Sequence, residues 1–108
     1  MRYVFEPFEL EPMKGELRRD GHRVAVEPQV FALLLLLVEN SERMVSKEEI
    51  VEKIWDGRAV SDAAVSSRIK SARRALGDDG RQQRLIRTLH GRGIRFVGEV
   101  AIVVAPPA

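Results

Sequence analysis

Apolar and polar residues alternate in short runs over the first 26 residues, a period of two that is typical of β-strands with one buried face. Pro7, Pro12 and Gly15 separate these runs, and the pair Asp20-Gly21 favours a tight hairpin turn. The pattern predicts a small antiparallel sheet of three or four strands, near residues 3–5, 8–11, 16–19 and 22–26.

The pattern changes to a helical period at Pro28, a residue that suits the first turn of a helix. Apolar residues then recur every three or four positions, and further leucines fill the remaining sides. This predicts a helix that is buried nearly all round and ends at residues 40–42; its apolar members are Phe31, Leu33, Leu34, Leu35, Leu36, Leu37 and Val38.

Two more helices follow, each with its own start and stop signals. Ser46 and Glu49 have the spacing of a capping box, so the second helix is predicted to begin at Ser46 and to end at Asp56-Gly57. Ser61 is a good N-cap for a third helix over residues 61–76, and Gly77 is a natural terminator.

Two strands are predicted after the helices, over residues 85–89 and 94–97, on either side of the turn Gly91-Arg92-Gly93. Residues 100–108 are apolar and are interpreted as a tail or linker that first finishes a strand. The prediction is one α+β domain over residues 1–99, with a sheet over 1–26, helices over 28–77 and a hairpin over 84–98.

Charge is distributed unevenly along the chain. The net charge is only +2, but residues 68–95 hold nine of the 18 basic residues and two of the 16 acids, a local charge of +7. Such a segment indicates a surface that faces a polyanion, although a solvated cationic face is the more common cause of a charge run.

The third helix has two distinct faces when about 100° of rotation is taken per residue. One is an apolar stripe that suits a core, made of Val65, Ile69, Ala72 and Leu76. The other has small residues first and long cations later, namely Ala63, Ser66, Ser67, Lys70 and Arg74. This face suits a major groove, where small side chains allow close approach and Ser, Lys and Arg bond to bases or phosphates. A surface helix whose cations complement the helix dipole has the same pattern.

The order of elements favours the first interpretation. A helix, a turn, a second helix with a polar and basic outer face, and then a basic hairpin form the plan of a winged helix-turn-helix. Arg92 lies at the tip of the hairpin and Arg95 on its returning strand, where an arginine can enter a minor groove. Gly-Arg-Gly is also common as a plain surface turn.

Nearly the whole chain resembles the OmpR/PhoB-type winged-helix effector domain. The matching segments occur in the family's order, at residues 27–34, 40–49, 54–55, 60–62, 65–78 and 86–96. The resemblance implies sequence-specific binding of promoter DNA for transcription regulation, with the helix over 61–76 in the major groove and the wing over 84–97 on the minor groove. It also implies an N-terminal antiparallel sheet, in agreement with the strand pattern.

Individual roles follow from the same resemblance. It implies major-groove contacts by Ser66, Ser67, Lys70, Ser71 and Arg73, and a minor-groove contact by Arg95. Thr88, Trp55 and Arg74 are the expected phosphate contacts. The loop over residues 56–59 corresponds to the family's RNA-polymerase-contacting loop, and the family binds direct repeats in tandem, so we expect a free monomer that pairs on DNA.

Some positions depart from the family's pattern. Glu27 replaces a capping Thr or Ser, Ile94 replaces a wing tyrosine, and Ser71 stands where an arginine is frequent. The first strand begins at the N-terminus, so we expect no phosphorylated receiver domain. The chain is similar instead to the N-terminal domain of CadC/ToxR-like one-component regulators, which implies a C-terminal sensor domain.

Other function classes have less support in the sequence. The two histidines lack a nearby serine-and-acid constellation, cysteine is absent and no metal-ligand spacing occurs, so we expect no enzyme, no metal and no cofactor. The longest apolar run, residues 30–38, is too short for a bilayer, and a cytoplasmic protein is expected. The alternative that stays open is a winged-helix protein-interaction module without DNA binding.

Overall fold

The computed structural model describes residues 1–104 and has an α+β architecture of eight strands and three helices in that range. The N-terminal half contains, in order, β1 (Arg2–Phe5), β2 (Phe8–Glu11), β3 (Glu16–Arg19), β4 (His22–Val24) and α1 (Pro28–Glu39). The remainder contains β5 (Val45–Ser46), α2 (Lys47–Trp55), α3 (Asp62–Ala75), β6 (Ile86–Leu89), β7 (Gly93–Phe96) and β8 (Ala101–Val103).

The N-terminal strands form an antiparallel sheet in the order β4-β3-β2-β1-β8. The predicted turn joins β3 to β4, and Asp20 and Gly21 both adopt positive φ, 51° and 80°, as a two-residue hairpin of this hand requires. Tyr3, Leu10 and Leu17 lie in register on the inner face and are buried, so this face forms one wall of the core.

The last strand lies in the segment that the sequence predicts to finish a strand before a tail or linker. Ala101–Val103 pair antiparallel with β1 and make the sheet five-stranded. The apolar segment completes the backbone hydrogen bonding of a strand that would otherwise form the sheet's edge. The predicted linker at residues 105–108 lies outside the described residues.

The first helix is the centre of the core, as its leucine-rich pattern predicts. Val30, Leu33, Leu34, Leu36, Leu37 and Val38 are all buried. Pro28 occupies the first turn, while the side chain of Glu27 at the N-cap makes no capping hydrogen bond. The helix is therefore stabilised by burial of its apolar sides rather than by its N-cap.

Both later helices begin at the predicted serines. Ser46 Oγ accepts a hydrogen bond of 3.1 Å from the amide of Glu49, and Ser61 Oγ accepts one of 3.1 Å from Ala64. The reciprocal half of the predicted capping box is absent among the described residues, because the carboxylate of Glu49 binds Arg43 at 2.6 and 2.9 Å.

A second sheet, in the order β5-β7-β6, joins the wing to the helices. The wing hairpin of β6 and β7 matches the prediction, but the two-residue strand β5 does not appear in the apolar pattern. Ser46 pairs with Gly93 in this strand and is also the N-cap of α2. The wing is therefore paired directly with the strand whose last residue caps α2.

Candidate nucleic-acid interface

The exposed face of α3 has the composition that the sequence predicts. Ser66, Ser67, Lys70 and Arg74 are exposed, whereas Val65 and the later apolar residues of the stripe face the core. Serines near the N-terminal end of the helix leave its backbone accessible, and the two cations extend from its C-terminal half. A duplex could therefore approach this side of the helix closely.

Two predicted groove residues lie elsewhere. Ser71 is partly buried, on a side of α3 about 100° from Lys70 at 3.6 residues per turn. Arg73 is only 9% exposed, because it lies on the side of α3 that packs against the wing. Arg73 therefore does not lie on the exposed face with Lys70, and its predicted groove contact stays a prediction.

Arg73 instead connects α3 to the first strand of the wing. Its Nε donates a hydrogen bond of 3.1 Å to the carbonyl of Ile86, and its Nη2 donates one of 2.7 Å to Thr88 Oγ1. Burial lowers the pKa of the guanidinium below its ordinary value, and the nearby charges of Asp78 and Asp79 counteract part of that effect. Arg73 forms no ion pair among residues 1–104.

The turn between α3 and β6 is organised by one carboxylate. Asp78 is 6% exposed and accepts hydrogen bonds of 2.8 to 3.1 Å from the backbone amides of Asp79, Arg84, Leu85 and Ile86. Burial alone would raise the pKa of Asp78, but these amides outweigh it and hold the pKa below its ordinary value. The carboxylate thus fixes where the wing departs from the end of α3.

The wing presents two arginines on its solvent face. Arg87 and Arg95 are directly opposite each other in the β6–β7 register and are exposed, while Ile94 and Phe96 on the returning strand are buried. Because side chains alternate along a strand, this arginine face is turned away from the face that packs on α3. Arg92 is exposed at the tip, where its amide bonds to the carbonyl of Leu89 at 2.9 Å.

A cleft of about 460 Å³ separates α3 from the wing. Ser66 and Ile69 line it from the helix, Thr88 and Arg92 line it from the hairpin, and Arg73 lies between them. The structure thus brings four predicted site residues around one cleft. Lys70 and Arg74 lie outside this lining on the exposed face of α3, and Arg95 lies on the far face of the wing.

The cations of these two elements have no acidic partners in the described part of the chain. The exposed ones are Lys70, Arg74, Arg87, Arg92 and Arg95. Some cations elsewhere are paired: Arg18 and Arg23 bind Glu16 at 2.9 and 3.8 Å, and Lys47 binds Asp62. Others in residues 1–104 are unpaired as well, namely Lys14, Arg19, Lys53, Arg58, Arg81 and Arg84. What distinguishes α3 and the wing is the scarcity of acids around them: residues 68–95 carry a local charge of +7, which a polyanion could neutralise.

The two other predicted sites are Trp55 and the loop over residues 56–59, and neither lines the cleft. Trp55 is half-buried against the core at the end of α2. Residues 56–59 are all exposed and form a short turn, in which Asp56 has a φ of 53° and ends the helix.

Sequence reasoning missed one candidate residue, Arg87, and the structural roles of two others, Arg73 and Asp78. Arg87 was counted only as charge, although the hairpin register that predicts the wing also places it opposite Arg95. Arg73 connects α3 to β6, and the carboxylate of Asp78 accepts hydrogen bonds from backbone amides of the following segment. Both roles depend on contacts between segments, so a local sequence pattern cannot predict them.

Two observations concern other site classes. No group of three or more potential metal ligands occurs among residues 1–104. Within the same range, no helix combines the length and the apolar character that crossing a bilayer requires.

Comparisons with known proteins identify relatives over almost the full chain. The chain is 36% identical over 107 residues to the transcriptional regulator HilA of Salmonella typhi, a match that covers 99% of this chain and 19% of HilA. The chain thus spans about a fifth of the length of that relative.

Solved structures agree with the fold. The response regulator DrrB of Thermotoga maritima, an OmpR/PhoB homologue, is 31% identical with a TM-score of 0.82, over 90% of this chain and 44% of DrrB. The DNA-binding domain of Escherichia coli CadC is 22% identical with a TM-score of 0.79, over 93% of this chain and 94% of that domain. At that lower identity, the likeness to CadC concerns the fold alone.

The family model described as "Transcriptional regulatory protein, C terminal" matches residues 21–96. The match includes all three helices and both strands of the wing. The chain therefore belongs to this family of transcriptional regulators, with the winged-helix domain of the OmpR/PhoB type.

Proposed function

We propose that this domain binds double-stranded DNA sequence-specifically to regulate transcription, and that it has no enzymatic activity. The observation that carries the proposal is the +7 local charge of residues 68–95, which includes five exposed cations of α3 and the wing that form no ion pair within residues 1–104. Neutralising such cations with phosphates releases counterions from the duplex and drives binding. The relative HilA bears a name that fits, a transcriptional regulator.

The geometry supports a division of labour between the two elements. In the proposed complex α3 enters the major groove, where Ser66 and Ser67 allow close approach and Lys70 reaches base edges. Arg74 at the end of the exposed face contacts the phosphate backbone. Ser71 and Trp55, being partly buried, contribute at the margin of this surface.

The wing reaches across the backbone to the neighbouring minor groove. Its solvent face, turned away from α3, presents Arg95 and Arg87 there, where the negative potential of a narrow groove attracts guanidinium groups. Arg92 at the tip and Thr88 in the cleft contact phosphates. Two elements that read adjacent grooves would give the domain a defined orientation on the duplex.

Further elements of the proposal concern the domain's context. We propose that the free domain is monomeric and binds tandem sites as a pair, and that the exposed loop over residues 56–59 contacts RNA polymerase. The domain works in the bacterial cytoplasm, where promoter DNA is located. Because the matched part of HilA is a fifth of that protein, we also propose regulation by a C-terminal sensor domain.

Selection of bound sites from a random duplex pool, followed by affinity measurements at several salt concentrations, tests the function. We expect a recovered motif and a log–log salt slope of about −0.9 per phosphate contact. Lys14→Ala, in an exposed turn of the N-terminal sheet, is the matched control and should bind as the wild type does. Equal affinity for all duplexes would contradict sequence-specific recognition, and no affinity for any duplex would favour a protein-interaction module.

A further inference from the structure

Arg73 lies between α3 and β6 in a position that is unusual for an arginine. It is 9% exposed, and its neighbours on the wing are neutral: the carbonyl of Ile86 and the hydroxyl of Thr88. Burying a cation against neutral acceptors costs free energy, and an unbranched apolar side chain would fill the same space without that cost. Compared with such an apolar side chain, the guanidinium has one additional effect: its N–H donors orient the carbonyl of Ile86 and the hydroxyl of Thr88.

The hydroxyl of Thr88 is the informative partner. A threonine hydroxyl has one proton and two lone pairs, and an arginine can only donate, so Thr88 Oγ1 accepts the 2.7 Å bond from Arg73 Nη2. The hydroxyl proton is consequently directed to another acceptor. Among the described residues, no acceptor receives a hydrogen bond from Thr88 Oγ1.

The surroundings indicate what the missing acceptor is. Thr88 lines the cleft between α3 and the wing, together with Ser66 and the exposed Arg92. Lys47, Glu48 and Asp62 also line the cleft, and Lys47 is paired with Asp62. An anionic oxygen that entered the cleft from solvent could accept a hydrogen bond from the Thr88 hydroxyl. The oxygen of that hydroxyl already accepts a hydrogen bond from the cationic Arg73. Donors in such chains are strengthened because each hydrogen bond polarises the next.

We propose that Arg73 is a positioning residue that orients and polarises the Thr88 hydroxyl for donation to a backbone phosphate, and that Arg73 itself does not touch DNA. This inference rests on the proposed DNA-binding function. It replaces the direct groove contact predicted for Arg73 with an action through Thr88. The phosphate bond is neutral on the protein side, so it should add affinity without counterion release.

A double-mutant cycle on the whole 108-residue chain tests the proposal, with the selected duplex as the probe. Thr88→Val should weaken binding roughly tenfold, because a hydrogen bond to a charged group is lost. Arg73→Met should weaken it at least as much, and the double variant should be no weaker than Arg73→Met alone. Thr88→Ser, which keeps the hydroxyl, should bind nearly as the wild type does.

The salt dependence separates positioning from direct contact. The log–log slope should stay unchanged in Thr88→Val and Arg73→Met, whereas the exposed neighbour variant Arg74→Met should lose about 0.9 from it. A similar loss in Arg73→Met would overturn the proposal, and so would additive effects in the cycle. Thermal melts establish that each variant is folded before binding is compared.

The Thr88→Val and Thr88→Ser pair leaves Arg73 intact, so the idea stays testable even where Arg73→Met fails to fold. Equal DNA binding by the wild type and Thr88→Val would overturn the proposal that Arg73 acts through the Thr88 hydroxyl, while leaving the DNA-binding function in place. Failure of the wild-type chain to bind any selected duplex would instead contradict the proposed function itself. The two ideas can therefore fail separately.

Discussion

Arg87 and Arg95 stand directly opposite each other on the two strands of the wing, and both lack an ion pair among residues 1–104. Like charges in this relation destabilise a hairpin. The N-terminal sheet contains the same relation between Arg18 and Arg23, but there Glu16 binds both guanidinium groups. The repulsion between the two arginines of the wing is thus not relieved within the described part of the domain, unlike that in the N-terminal sheet. This is expected where a bound polyanion neutralises the arginines.

Arg87→Thr should make the free domain more stable and the complex weaker. Removing the cross-strand repulsion raises the free energy of unfolding by roughly 0.2–1 kcal/mol, measured by urea denaturation. The same change should reduce the salt slope of DNA binding by about one phosphate contact. Arg23→Thr is the matched control, since its repulsion is already compensated, and it should not gain stability. A loss of stability in Arg87→Thr would contradict the argument.

Gly93→Ala should destabilise the domain far more than Gly91→Ala. A Cβ at residue 93 would lie 2.1 Å from the carbonyl oxygen of Val45, so β5 and β7 could not pair as they do. At residue 91 nothing lies within 4 Å, and only the positive φ of 73° opposes a side chain, a cost of about 1–2 kcal/mol. Thermal unfolding of both variants checks this, and equal effects would show that the close approach is unimportant.

Asp78 should make the domain sensitive to acid. Four backbone amides hold the pKa of its carboxyl below the ordinary value in the folded state, so its contribution to stability is complete above the unfolded pKa of about 4. That contribution is lost as the pH falls through the folded pKa. Asp78→Asn should therefore be less stable at neutral pH, because a buried amide cannot accept all four bonds, and its stability should decline less steeply below about pH 4.

The comparison between wild type and Asp78→Asn isolates this group from two other carboxyls. The pKa values of Glu16 and Glu49 are also lowered, chiefly by hydrogen bonds from Arg18 and Arg43, and they titrate equally in both proteins. Parallel pH profiles for the two chains, followed by denaturant unfolding, would mean that Asp78 does not contribute through its charge.

Lys70→Ala and Arg95→Ala should alter different parts of the recovered DNA motif. Loss of a base contact by Lys70 should cost about 1–3 kcal/mol on the selected site and relax one position of the motif. Loss of Arg95 should reduce the preference for A·T pairs beside the site, because that residue responds to minor-groove potential. Repeating the selection with each variant checks both, and an unchanged motif for Arg95→Ala would remove its minor-groove role.

The sequence predicts elements well where a short segment determines them. The turn at Asp20-Gly21, Pro28 in the first turn of α1, and the serine caps of α2 and α3 depend on residues a few positions apart, and the structure confirms each. The order of those elements, together with the leucine-rich core helix, is sufficient to predict the architecture that the comparisons confirm.

Contacts between distant segments were beyond such reasoning. A helical projection places Arg73 at the edge of the polar face, and only the position of β6 determines that this edge is covered. Strand β5 has two residues, too few for any periodicity, and β8 depends on the unpaired edge of β1. The exposed candidates on α3 were predictable because exposure there follows from the helical period alone.

The pairing of Ser46 with Gly93 has a mechanical consequence for a complex with DNA. Ser46, the N-cap of α2, is also paired with β7 in the sheet of the wing. Arg73 connects the other strand of the wing, β6, to α3 by a hydrogen bond. Helices and hairpin are consequently connected at two places, which constrains the span between the exposed face of α3 and the arginine face of the wing. A duplex whose neighbouring grooves do not match that span must deform to fit, so the stiffness of a site enters its affinity even at unread base pairs.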